Sequence, residues 1–182
     1  MGFMRLNGLV MEKIKIGEID VILEDLGNGA GKIIVASAYY NGSTYWGAMG
    51  GDLKGFIKSI NQDYFANRLC AQSKVFDLTT TMTNVRGQWK AFANWYQEVD
   101  FQKDLRFELK RIEAETEEQF VDSMYNLLNR LDFDDIQDDD LRDTAKRFFC
   151  SEPWHFIEKK PSQEYKFYCK LLVDLQKKLA EK

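Results

Sequence analysis

The chain is expected to fold as α+β, with an N-terminal antiparallel sheet of three to four strands followed by a helical region of five to six helices. Three observations predict it. Residues 14–46 alternate apolar and polar positions between glycine and asparagine breaks, the pattern of half-buried strands. From about Asp52 the apolar residues recur at helical spacing instead. The strands precede the helices rather than interleave with them, which argues against a wound α/β sheet.

The strands come first. "KIKIGEIDVILE" places Ile14 and Ile16, then Ile19, Val21 and Leu23, on alternating positions, with Gly17 shifting the phase as a bulge would. "DLGNGAG" reads as a turn, and "KIIVASAYY" as a β-branched strand ending in aromatics. Asn41–Gly42 predicts a type I′ hairpin turn, because both of its central residues need positive φ. "STYWGAM" then returns as a third strand, and "KVFDLT" (Lys74 to Thr79) is a candidate fourth. The first ten residues read as a loose extension ahead of the regular pattern that Met11 opens.

The helices follow. Leu53, Phe56, Ile57 and Ile60 share one face, after Asp52 as N-cap. Val85, Trp89, Phe92, Tyr96 and Val99 form a second stripe, and Phe101, Leu105, Leu109 and Ile112 a third. Thr116 with Gln119 makes a capping box ahead of Phe120, Met124, Leu127, Leu128 and Leu131. Asp138 to Asp140 open a helix carrying Leu141, Ala145 and Phe148. Ser162 caps the last, with Tyr165, Tyr168, Leu172, Leu175 and Leu179 inward. Residues 1–182 are expected to form a single compact α+β domain, 11–82 mainly sheet plus one helix and 83–182 helical.

Composition narrows the function classes. The 182 residues are 45% hydrophobic and 30% charged, ordinary for a globular protein with one sizeable core. No apolar run approaches the roughly 20 residues of a membrane span, and the start lacks the h-region of a signal peptide. Cys70, Cys150 and Cys169 are odd in number and unpaired in spacing, as expected of free thiols in a reducing cytoplasm.

The stretch "YYNGSTYWGAMGGDLKGF" is rich in glycine but matches neither a Walker loop nor a dinucleotide fingerprint. The Asp52 carboxylate would also occupy the amide donors that a phosphate needs. The single histidine, His155, forbids any two-histidine zinc site, and reads as a partly buried residue beside Trp154 and Phe156. No cofactor and no bound metal is expected. A net charge of −4 gives little pull on phosphate, so direct nucleic-acid binding is not expected.

One anomaly remains. Between Glu113 and Asp143 stand twelve acids against Arg130 and Arg142 alone, a local charge of −10 that leaves +6 for the rest of the chain. An EF-hand starting at Asp132 fails, because Ile136 and Gln137 take the positions of an oxygen ligand and the glycine. Three readings stay open: helix N-terminal acids favoured by the macrodipole, a carboxylate site for metal-dependent phosphoryl transfer, and a negative surface that steers a basic partner. On the last reading the contact residues are Asp132, Asp134, Asp135, Asp138, Asp139, Asp140 and Asp143. Tyr40, Tyr45 and Trp46, which with Tyr39 flank the expected hairpin, form a second candidate contact face.

Three segments carry a resemblance: "YWGAMGGDLKGFIKSINQDYFANRL", "WYQEVDFQKDLRFELKRIE" and "EPWHFIEKKPSQEYKF". Together they resemble small accessory proteins of bacterial phages, prophages and other mobile elements. The resemblance implies a cytoplasmic protein that acts by binding another protein, including binding that blocks host defence machinery. It brings no catalytic residues. The expected function is therefore non-enzymatic protein binding through the acidic surface, with a phosphoryl-transfer enzyme or a structural, oligomer-forming module as alternatives.

Overall fold

Alternation in the sequence becomes alternation in burial. Along Ile19–Gly27 and Ala30–Ala36 the buried positions are Val21, Leu23, Gly31, Ile33 and Val35, each two residues from the next in its strand. A computed structural model describes residues 3–6, 9–93, 99–131, 139–150 and 153–181. Its main sheet is an antiparallel meander of β1 (Phe3–Leu6), β2 (Leu9–Ile16), β3 (Ile19–Gly27), β4 (Ala30–Ala36) and β5 (Gly42–Trp46), in that spatial order. The fold class is α+β, as expected. Part of the segment read as a loose extension is β1, whose Phe3 pairs with Glu12 and Leu6 with Leu9.

Turn chemistry departs from expectation in two places. Gly17 is not a bulge: with φ of +58° it takes the first central position of the tight β2–β3 turn, where a type II′ turn wants glycine. Asn41–Gly42 is not a type I′ turn, since neither residue has positive φ. The β4–β5 connection is instead the longer segment Ser37–Asn41, in which Asn41 Oδ1 accepts the Ser37 amide at 2.9 Å. Gly42 is needed for space, because a Cβ there would sit 2.6 Å from Tyr168 Oη. A close approach had looked like turn chemistry.

The glycine-rich corner behaves as expected. Asp52 caps α1 (Leu53–Ser59) by accepting the Gly55 amide at 2.8 Å, and Asp25 Oδ2 accepts the Leu53 amide at 3.1 Å. Two carboxylates thus hold the donors that a phosphate would use. Asn61 then caps a separate α2 (Gln62–Leu69) through the Tyr64 amide. That break helps explain why the described residues contain seven α-helices rather than five or six. The others are α3 (Leu78–Ala93), α4 (Val99–Lys110), α5 (Glu117–Leu128), α6 (Asp139–Cys150) and α7 (Gln163–Ala180).

The "KVF" segment is a strand, β6 (Lys74–Phe76), but it does not join the meander. It pairs with β7 (Lys159–Pro161), while Leu78 and Thr79 already belong to α3.

Contacts group the chain into two compact units, Met1–Lys74 with Pro161–Lys182, and Val75–Lys160. In the first, α1, α2 and α7 lie against one sheet face, and Ile14, Val21, Ile33, Leu53, Phe65, Tyr168 and Leu172 are among its buried core. The carboxylate of Glu12, only 1% exposed on that same face, meets Lys54 Nζ of α1 at 2.6 Å, an ion-pair contact without the alignment of a hydrogen bond. The second unit has a helical core that includes Val85, Trp89, Leu105, Leu109, Phe120, Met124 and Leu127.

Candidate functional site

The acidic segment is organised by α5. Thr116 Oγ1 accepts the Gln119 amide at 3.2 Å, and Gln119 Oε1 accepts the Glu115 amide at 2.8 Å, so the expected capping residues do start this helix. Phe120, Met124 and Leu127 are buried at i, i+4 and i+7. The same periodicity sets Glu118, Asp122 and Tyr125 on a common exposed face. Beside it runs the 3-10 helix Pro153–Phe156, in which Pro153 and Phe156 are buried and Trp154 is turned out, 49% exposed. Trp154 meets the Tyr125 ring edge-on, with centroids 6.2 Å apart. An acidic stripe therefore ends in an exposed aromatic pair.

The remaining acids divide. Glu117 pairs with Lys159 at 2.8 Å, and Asp139 pairs with Arg142. Glu113, Glu115, Glu118, Asp122, Asp140 and Asp143 are exposed, and their carboxylates make no ion pair among the described residues. Asp132, Asp134, Asp135 and Asp138 lie outside the described residues. Glu117 and Glu118 open α5, and Asp139 and Asp140 open α6. Each group gains from the positive end of its own helix.

A family model described as a phage family matches residues 6–181. The chain belongs to that phage family. No curated protein and no solved structure matches it. No described helix of this phage-family chain is long and apolar enough to cross a membrane. Among the described residues, no group of three or more His, Cys, Asp or Glu side chains is placed to hold a metal ion.

The second candidate face is smaller than expected. Trp46 is 5% exposed and packs edge-on against Phe56 at 5.3 Å, so it is a core residue and not a contact residue. Its strand position puts it on the inner face, where α1 reaches it. Tyr40 is half-buried against Phe167, with centroids 5.3 Å apart. Tyr45 is exposed on the opposite sheet face, and its carbonyl accepts Arg68 Nη2 at 2.8 Å. Tyr39, in the β4–β5 connection, is 84% exposed.

His155 is exposed rather than partly buried, because the 3-10 helix turns its Pro153 and Phe156 inward instead. Cys70 and Cys169 are free and half-buried, and burial pushes both thiols above their ordinary range, the opposite of an activated nucleophile. The Tyr125–Trp154 pair escaped the sequence reading. Its signal was present in outline: Tyr125 falls outside the Phe120–Met124–Leu127 stripe, and Trp154 sits next to a proline that restricts the local backbone.

Proposed function

We propose that this phage-family chain acts by binding another protein, and that it does so through the acidic side of its helical unit. The observation that carries the reading is the exposed face of α5, where Glu118 and Asp122 lead to Tyr125 and Trp154 with no ion pair among the described residues. Carboxylates without internal partners steer and orient a basic surface, and exposed Tyr and Trp are the residue types that anchor interfaces. A lysine or arginine of the partner gains twice, from the carboxylates and from the aromatic faces. The acids of the Asp132–Asp143 segment add to the negative charge of the chain between Glu113 and Asp143. The partner is a protein with a basic surface, of the kind nucleic-acid-binding host proteins carry. No catalytic step is assigned to the chain.

Affinity capture from host lysate with the intact chain tests this, compared with two charge-reversed forms. One is Glu118→Lys with Asp122→Lys, the other Asp134→Lys, Asp135→Lys, Asp138→Lys and Asp139→Lys. Loss of the captured protein at unchanged thermal stability is expected, with recovery falling as salt rises. Equal capture by wild type and both reversed forms would overturn the reading.

A further inference from the structure

A groove of about 510 Å³ opens in the sheet unit, within the size range of ligand pockets. It arises from a mismatch between two connections. Ile16 and Ile19, paired at the base of the tight β2–β3 turn, are half-buried and line one side. The β4–β5 connection is longer and presents Tyr39 as the opposite wall. On the α7 side, Phe167, Lys170, Leu171 and Asp174 fall at i, i+3, i+4 and i+7, so one face of that helix lines the groove.

Its chemistry is selective. The lining is apolar and aromatic, while Glu18, Lys170 and Asp174 supply two negative charges and one positive. None of the three makes an ion pair among the described residues. The Ser37 hydroxyl is already committed: its Oγ donates to Tyr40 O at 2.7 Å and accepts the Tyr39 and Tyr40 amides. Glu18, Lys170 and Asp174 are then the charged groups that an occupant meets, beside an otherwise largely apolar lining.

We propose that this groove takes one aromatic or aliphatic side chain of a partner polypeptide, with an adjacent lysine or arginine placed against Glu18 and Asp174. The net negative charge of the three groups selects the basic neighbour, and the gap between Tyr39 and Phe167 takes the apolar anchor. The site lies in the sheet unit and does not depend on the acidic face of α5, so either reading can fail without the other.

The test is a titration of the nitrogen-labelled intact chain with two synthetic peptides, followed by amide chemical shifts. Both peptides carry one central phenylalanine, flanked by lysines in one and by glutamates in the other. The lysine peptide is expected to move the amides of Gly17, Glu18, Ser37 to Tyr39 and Lys170 to Asp174, binding about tenfold more tightly than the glutamate peptide. Glu18→Lys with Asp174→Lys should remove that preference, and Tyr39→Ala should weaken both peptides, with the dispersed spectrum of a folded chain retained. Three results would overturn the proposal: no shift in the groove with either peptide, equal binding of both, or shifts confined to α5.

Discussion

The two units carry opposite net charge. Met1–Lys74 with Pro161–Lys182 holds 13 Lys and Arg against 10 Asp and Glu, a net +3; Val75–Lys160 holds 12 against 19, a net −7. In the sheet unit several carboxylates are built into the architecture. Glu12 is buried against Lys54, Asp25 and Asp52 hold amides at the start of α1, and Asp20 pairs with Lys13 at 2.7 Å. In the helical unit the exposed acids Glu113, Glu115, Glu118, Asp122, Asp140 and Asp143 are left without ion pairs among the described residues. A carboxylate engaged inside a fold answers to stability, and one left in water answers to whatever approaches it. The comparison separates charge that builds the molecule from charge that it displays.

The largest effects are expected in the cores. Phe120→Ala in the helical unit and Leu172→Ala in the sheet unit each remove a fully buried side chain, at a cost of about 3–4 kcal/mol. Each should lower amide protection first within its own unit, because the two sets of core residues are distinct. Equal loss across both units from either substitution would contradict the two-core description.

Charge substitutions have smaller effects. Lys54→Met strips the cation from a buried Glu12 and is expected to cost about 2 kcal/mol in a urea melt, less than a fully buried pair because Lys54 is partly in water. Glu118→Lys with Asp122→Lys should stay within about 0.5 kcal/mol of wild type. A larger stability loss from the Glu118→Lys, Asp122→Lys double variant than from Lys54→Met would invert the assignment of roles.

The smallest effect is a pH dependence. The Thr80 hydroxyl at 2.9 Å, and then Lys160 at 3.2 Å, hold the Asp77 carboxyl below its ordinary value. A lowered folded value means that its stabilisation is complete above the unfolded value of about 4 and disappears as pH falls through the folded one. Melts taken downward through the carboxylate range should show that loss, and Asp77→Asn should flatten it. An unchanged acid limb in the variant would show that Asp77 does not contribute.

Much of the architecture was legible because it depends on local rules. The alternation around Val21 and Ile33, the caps at Asp52, Thr116 and Ser162, and the Phe120–Met124–Leu127 stripe each need only near neighbours in sequence. The candidate sites were less legible. The acid count was plain, but only the fold shows that Trp154 stands against Tyr125. Trp46 was misplaced because an aromatic near a strand end looks the same in sequence whether it faces water or Phe56.

From the sequence came the periodicity, the helix starts and the sign of the charge between Glu113 and Asp143. Tertiary structure alone decided that α7 closes the N-terminal sheet, that Gly42 yields to Tyr168, and that Ile16, Tyr39 and Phe167 border one groove. The physical reason is separation along the chain. Propensity and capping act over a few residues, whereas a groove or a close approach depends on segments more than a hundred residues apart meeting at ångström distances.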